Sequence, residues 1–548
     1  MDNLVSPKEI LESYREITIE KQIVDGAFFI NLFDKQFLLI CPDRDKPESY
    51  PSVYLFNDEG FDFPHVMLRE VELNDSLPEG KYRWVCLYEH ESVVYSVIPY
   101  EEKIADVINR LIELLSLTSV EREKEFQKEF MHYWNGAARN KVANKVYLSQ
   151  ESHFSRMSVY CNKSDIRYIE SGLELSDLNV IEKNEHKWLQ HVENDTFFIP
   201  ILDTREILPP YVGHPWTTDT VRDIVYGKQI AHISHETYLS ICDEKVFTKD
   251  VILIFGMKST QSNVTFAAKL NCKNTRSGRT LIEKICNDAL GVEPISTERK
   301  DYSYLSDQIG NGIGLRGKKV LLIGGGSLGS YIAFELVKNG VASLKVYDED
   351  KLRDENILRW AYFGFGIGTN KAGLLKFNLE FLHPEIRVEA KAEKIDVDTL
   401  GKEMSQVDMI IFTIGSSDSQ LVFNRTLKEI SCRIPVIFTW LEAGGKYSHI
   451  LTVDYTKRGC YECLFTNEHG EPINNRASLN NNDDLDVSII RNGCGGTRAA
   501  YGSAVLLRTT AALLGTIQKI LSGELSKNTL IDITPESVTS SSHVVPME

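Results

Sequence analysis

Val320-Leu321-Leu322-Ile323-Gly324-Gly325-Gly326-Ser327-Leu328-Gly329 is the stretch on which the reading of this chain turns. Its four apolar residues predict a buried strand, and its glycines fit G-x-G-x-x-G. A segment of helical length follows and ends at Asn339-Gly340, a pair suited to a helix C-terminus. Strand, glycine turn and helix in this order set free backbone N–H groups and the positive end of a helix dipole against a phosphate. The next apolar run, residues 344–347, ends in Asp348-Glu349-Asp350, where a ribose hydroxyl would meet carboxylates. Taken alone, such a turn serves many dinucleotides and also occurs as plain structure.

The residues beyond it narrow the chemistry. Asn356-Ile357-Leu358-Arg359 and Gly368-Thr369-Asn370-Lys371-Ala372 add an amide and two cations past the acidic strand end. A nicotinamide enzyme has no use for that array, whereas cleaving a triphosphate at its α-phosphate calls for cations against the developing charge. These residues resemble the ubiquitin-activating and ThiF/MoeB-type adenylyltransferases. The pattern of that family is met in order by Gly324, Gly326 and Gly329, by Asp348 and Asp350, by Asn356 and Arg359, and by Gly368 and Lys371. The resemblance implies ATP and magnesium as cofactors, Asp348 on the ribose, and Asn356, Arg359 and Lys371 on the phosphates. The products it implies are an acyl adenylate and pyrophosphate. It further implies a magnesium-binding aspartate after the fourth strand. Asp418 comes late for this role when counted from the strand, but fits when counted back from Asn424; the alternative is that Asp418 caps the helix carrying Asn424. Trp440, Glu442 and His449 look like the family's strand and turn near a bound carboxyl tail.

An adenylate is reactive enough to be captured by a thiol. Cys494, in Asn492-Gly493-Cys494-Gly495-Gly496-Thr497, precedes a helical segment expected from near Ala499. A helix N-terminus favours the thiolate, and flanking glycines admit a bulky acyl group. Similar prokaryotic activating enzymes carry their catalytic cysteine at a comparable place, so Cys494 is the expected thioester carrier, against the plainer alternative of a small buried cysteine in a tight turn. Gly459-Cys460-Tyr461-Glu462-Cys463 resembles the first half of a zinc site, but the second CxxC is missing; the pair is read as packed, and zinc is not expected. A third place is Trp84-Val85-Cys86-Leu87-Tyr88. With Pro51-Ser52-Val53, Phe63-Pro64-His65 and Ile98-Pro99 before a helical run, it resembles a ubiquitin-conjugating domain. It departs from that family in having no His-Pro-Asn before the cysteine and no Trp just ahead of Pro99, so a core role for Cys86 stays open.

The 548 residues, 42% hydrophobic and 25% charged, suffice for several globular domains. A formal charge of −17 argues against a nucleic-acid surface. Ten irregularly spaced cysteines and an opening MDNLVSPKEI without signal-peptide character point to the cytoplasm, and the apolar run 503–521 is broken by Arg508 and Lys519, so no membrane partner is expected. Three regions separate by texture. Residues 1–145 have strand-like runs at 26–32, 36–41, 51–56 and 83–87, then helices on which Ile104, Ile108, Leu111 and Leu115 share one face and Phe126, Phe130 and Trp134 another. Residues 146–300 carry strand-like runs at 251–256 and 264–270 without a motif and are read as a linking domain. In 301–548, apolar strands at 319–323, 344–347, 408–414 and 435–440 alternate with helix-length segments, the pattern of a doubly wound parallel sheet, while 474–486 reads as a loop.

The fold class expected is therefore α/β, with a C-terminal Rossmann-like adenylation domain, an N-terminal α+β ubiquitin-conjugating-like domain and a linking domain. That combination resembles the fused conjugating-activating enzymes of bacterial CBASS antiphage islands, which attach the C-terminus of a CD-NTase to a target. The resemblance implies adenylation beside Arg359 and Lys371, capture on Cys494, relay to Cys86, a protein amine as acceptor, and a homodimer. The rival readings are a ThiF/MoeB-like adenylyltransferase serving a sulfur carrier, a nicotinamide-dependent oxidoreductase, and a non-catalytic scaffold.

Overall fold

The computed structural model describes the chain apart from residues 1–4, 25, 74–76, 89–93, 140–141, 150, 164, 174–189, 212, 228–229, 259–262, 274–277, 308–313, 362–365, 384–385, 481–488, 492–496, 500 and 542–548. Its described residues fall into two compact units, one within Met1–Leu173 and Trp188–Arg299, the other within Lys300–Glu548.

The first unit begins with an antiparallel meander, Thr18–Val24, Ala27–Leu32, Lys35–Ile40, Ser52–Phe56 and Tyr82–Trp84, paired in chain order. Alternation along these strands buries Phe28, Ile30, Phe37, Leu39, Val53 and Leu55 on one face. The helix Tyr100–Ser116, entered through Pro99, lays Ile104, Val107, Ile108, Leu111 and Leu115 on that face, as the sequence periodicity anticipated. Phe126, Phe130 and Trp134 do not share one helix face. Glu129 (φ −93°, ψ 19°) separates helix Ser119–Lys128 from helix Phe130–Ala137. Phe126 then stacks on Tyr211, while Phe130 and Trp134 pack with Trp216 and Phe266 beneath a second sheet. That sheet has eight strands in the order Ala289–Ile295, Asn263–Cys272, Val251–Lys258, Gln190–Ile201, Ser155–Cys161, Asp165–Glu170, Ala143–Tyr147 and Glu298–Arg299.

The second unit is built on another eight-stranded sheet, ordered Arg387–Lys391, Ser343–Tyr347, Lys319–Ile323, Met409–Phe412, Val436–Leu441, Ser448–Val453, Thr529–Ile533 and Val538–Ser541. The first five strands are parallel. The doubly wound expectation holds for them and stops at Leu441. There Gly444 (φ 81°) and Gly445 (φ 64°) turn the chain back tightly, and a tight turn can only make an antiparallel neighbour. The last three strands continue antiparallel. Helices cover both faces: Ser327–Lys338 and Ser503–Leu521 pack against Val320, Leu322, Val346 and Ile411, whereas Ser417–Glu429 packs against Leu321, Ile323 and Phe412.

Helix Ser503–Leu521 starts later than the expected Ala499, because Thr497–Ala499 pairs as a strand with Ile489–Arg491. By length and composition this helix could cross a membrane, but Val505, Leu506, Leu513 and Ile517 are buried in the core of the unit. The winding order reverses between Lys319–Ile323 and Met409–Phe412, which is where an open α/β sheet opens a crevice at its strand ends. Leu322 is fully buried on the central strand. Leu322→Ala should cost about 2–5 kcal/mol, read as a lower midpoint in urea unfolding.

Candidate active site

A cleft of about 310 Å³ opens at that reversal, lined among others by Gly324, Gly326, Asp348, Asp350, Lys371 and Thr413. Each glycine has its own geometric reason. Gly324 has φ 105°, and a Cβ on it would lie 2.7 Å from Thr413 Oγ1, the hydroxyl that donates to the Gly324 carbonyl at 2.6 Å. A Cβ on Gly329 would stand 2.0 Å from the same carbonyl, so the helix approaches the turn as closely as backbone allows. Gly326 borders open space and caps helix Ser327–Lys338 without any side-chain hydrogen bond, which leaves the first-turn N–H groups to a ligand.

The aspartate pair is locked onto this turn. Asp348 accepts from Gly325 N–H at 2.7 Å with one carboxylate oxygen and from Asp350 N–H at 2.8 Å with the other. Burial pushes its pKa above the ordinary carboxylate value, against the pull of Lys371. Lys371, 9% exposed, donates to Asp350 Oδ2 at 2.8 Å, and Asp350 itself is exposed. Asn370 caps helix Lys371–Leu382 through Gly373 N–H, and its amide donates to the carbonyls of Asp348 (2.7 Å) and Asp350 (3.1 Å). The D-x-D strand end and the G-x-x-K helix start are thus one hydrogen-bonded piece.

Asn356 and Arg359 stand on the short 3-10 stretch Asp354–Arg359 and do not border the cleft. Asn356 accepts from Arg353 N–H at 3.1 Å, and the Arg359 guanidinium lies 4.9 Å over the Tyr501 ring. The stretch is tied to the glycine turn by Trp360, whose indole N–H donates to Gly325 O at 3.1 Å. Asp418 sits exposed in the first turn of helix Ser417–Glu429. The N-cap is Ser416, which accepts from Ser419 N–H; Ser416 and Ser419 border the cleft and Asp418 does not. Sequence reasoning passed over Thr413, Phe423 and the trio Glu393, Lys394 and Ile395, which also line it. The trio follows strand Arg387–Lys391, whose short alternation of buried Val388 with charged neighbours was the available signal.

Cys86 belongs to the first unit. It is half-buried just past strand Tyr82–Trp84, donating its N–H to His65 O at 2.7 Å, with Sγ 3.5 Å from Tyr88 O. Tyr88 is held to helix Tyr100–Ser116 through Asp106 at 2.8 Å and lies under Arg110. Cys494 lies outside the described residues, as do residues 481–486 of the expected loop 474–486. In the second unit His449 is fully buried between Glu442 and Asp532, each 2.7 Å from a ring nitrogen, and stacks on Trp440. Glu442 also accepts the N–H groups of Leu479 and Asn480.

Burial favours neutral His449, but Asp532 and Glu442 outweigh it and raise its pKa above 6.5. Glu442, also buried, is held below 4.5 by His449 and the two N–H groups. A raised histidine contributes its stability in full below 6.5 and loses it as pH rises through the folded value; the depressed Glu442 contributes above 4.5 and loses it as pH falls. The stability deficit of His449→Gln in urea unfolding should therefore be largest near about pH 6 and shrink at alkaline pH; an equal deficit at both would mean a neutral ring. Gly329→Ala, with no room for its methyl group, should abolish nucleotide binding in equilibrium dialysis while Gly373→Ala, on the neighbouring helix and in ordinary contact, should not.

The sequence profile of the ThiF family matches residues 313–542. An ATP-dependent ubiquitin transferase-like protein Cap2 of Pseudomonas aeruginosa is 27% identical over 232 residues, 41% of this chain and 40% of that protein. The Cap2 of Vibrio cholerae is 25% identical over 466 residues, 76% of each chain. Ubiquitin-like modifier-activating enzyme 5 of Drosophila virilis is 24% identical over 213 residues, 34% of this chain and 49% of that one. The match to the Pseudomonas protein thus spans less than half of its length. The glycine turn, the paired aspartates and Lys371 around one cleft all fall within the residues that match the ThiF family, and the chain is similar to Cap2 proteins.

Proposed function

We propose that this chain uses ATP and magnesium to adenylate the C-terminal carboxylate of another protein, captures it as a thioester on Cys494, and relays it to Cys86 before a protein amine accepts it. The observation that carries this reading is the single cleft in which an uncapped helix start at Gly326, the Asp348 carboxylate and the Lys371 ammonium converge. The residues fit a nucleotide triphosphate. Gly326 leaves room for phosphate oxygens beside free N–H groups, Asp348 is fixed by two backbone donors to receive a ribose hydroxyl, and Lys371 can leave Asp350 for a phosphate. Magnesium would neutralise polyphosphate charge when bound; Asp418, its proposed ligand, is exposed between Ser416 and Ser419, the two residues of that helix start which border the cleft. Arg359 supplies a second cation from the segment that Trp360 anchors to the turn.

Residues 1–145 are proposed to act as a ubiquitin-conjugating-like domain. Supporting this are the antiparallel meander, Cys86 just past its last strand, and the Pro99-led helix whose Asp106 and Arg110 hold the segment after the cysteine. Residues 146–300 link it to the adenylation domain, 301–548. The activated protein is proposed to be a CD-NTase, primed in antiphage defence by a cytoplasmic homodimer of this chain. Carrying both thiols on one polypeptide would raise the effective concentration for thiol-to-thiol transfer.

Intact mass with and without dithiothreitol, on wild type, Cys494→Ala and Cys86→Ala co-expressed with neighbouring genes and given ATP and magnesium, checks this. A protein-sized adduct released by dithiothreitol, absent in Cys494→Ala and redistributed in Cys86→Ala, is expected. Pyrophosphate exchange without any thioester would point instead to a carrier-protein adenylyltransferase.

A further inference from the structure

The core of the second unit holds a thiol pair that adenylation leaves unused. Cys460 and Cys463 are each 5% exposed and are not joined in a disulfide. Cys460 caps the 3-10 turn Tyr461–Leu464; Cys463 N–H donates to Cys460 O at 3.0 Å, and the two sulfurs stand 4.0 Å apart.

The surroundings treat the two sulfurs differently. Asn424, fully buried on helix Ser417–Glu429, accepts with Oδ1 from Tyr461 N–H and from Tyr455 O–H, both at 3.1 Å. That fixes its amide so that Nδ2 donates to Cys460 Sγ at 3.5 Å. The two thiols also share a contact in which either could donate; because Asn424 already donates to Cys460, the arrangement with Cys463 as donor is the favoured one, and it lowers the pKa of Cys460 despite burial and raises that of Cys463. The buried Cys272 and Cys432 are the contrast: each thiol donates to a carbonyl, of Leu270 and Ile434 respectively, and burial raises both pKa values. Among the described residues no group of three or more His, Cys, Asp or Glu side chains is placed to hold a metal ion.

We propose that Cys460 and Cys463 form a modification site at which a small hydroperoxide closes an intramolecular disulfide, Cys460 attacking and Cys463 resolving. The Cys460 sulfur takes one oxygen of hydrogen peroxide; the O–O bond breaks, and water leaves with the thiol proton. The Cys463 sulfur then attacks the resulting sulfenic acid, the S–O bond breaks, and a second water leaves with the remaining proton. Two thiols lose two electrons and one peroxide gains them. To bond, the sulfurs approach by about 2 Å, within reach of side-chain rotation.

Closure withdraws Cys460 from Asn424. The helix carrying Asn424 also supplies Ser419 and Phe423 to the cleft, so the oxidised protein binds nucleotide more weakly.

The test uses the reduced full-length chain, exposed to hydrogen peroxide, alkylated and cut with trypsin. Both cysteines fall on one peptide, between Arg458 and Arg476. That peptide should lose two hydrogens and resist alkylation before the peptides bearing Cys272 or Cys432 react, and dithiothreitol should restore it. In Cys463→Ser, dimedone should trap a sulfenic acid on Cys460. The proposal is overturned if the peptide stays fully alkylated while other cysteines oxidise, or if purified protein carries an equivalent of zinc that shields it. Titration with a fluorescent ATP analogue should show about tenfold weaker binding after oxidation; equal affinity in both states would overturn the link to the cleft while leaving the mass readout to judge the site.

Discussion

The second unit depends on the approach of one helix to one turn. Gly329 brings helix Ser327–Lys338 so near the carbonyl of Gly324 that no side chain fits between them, and that carbonyl is held in turn by the Thr413 hydroxyl from the next strand. One backbone oxygen therefore meets helix Ser327–Lys338 and the end of strand Met409–Phe412 at once. The helix start lands at the strand ends with its N–H groups uncapped, and Asp348 can reach back to the turn's own N–H. Relaxing this contact would move the helix dipole away from Lys371 and the aspartates, whose mutual geometry is otherwise fixed by Asn370.

What could be read in the chain and what could not separate along a physical line. The glycine turn, the acidic strand end and the capped lysine helix are local: short spacings impose them, and strand Lys319–Ile323 and the helix ending before Asn339 lie where the periodicity puts them. The parallel half of the sheet was legible for the same reason. The antiparallel half was not, because it follows from two glycines with positive φ and from a pairing with Thr529–Ile533 that no window of sequence contains. Cleft residues Glu393, Lys394 and Ile395 escaped because their strand is brief and its neighbours are distant in sequence. Phe126 was misplaced since four-residue spacing persists across Glu129 although the helix does not.

Function followed the same line. Asp348, Asp350 and Lys371 meet because adjacent connections carry them, whereas Arg359 is steered by the Tyr501 ring, a partner far along the chain. Two polar side chains buried in this unit are satisfied by specific partners: Asn424 spans three groups, and His449 fills both nitrogens with carboxylates. Such networks restrict the core to one arrangement, since any slip would strand a buried charge.

The His449 clasp also bears on how the chain comes to be folded. Glu442 is seven residues from His449, but Asp532 is 83 away, on a strand that must insert beside Ser448–Val453. Closing a loop of that length precedes any reward from the pairing, which makes it a slow, entropically opposed event. On a ribosome, the hairpin of Val436–Leu441 with Ser448–Val453 would emerge with one edge unpaired and its imidazole half-satisfied until residue 532 cleared the exit tunnel. The parallel half could be complete by then. Nascent chains of this protein thus expose a bare strand edge for the time needed to synthesise some eighty residues, several seconds at about 5–20 residues per second, and in that interval they are candidates for chaperone capture.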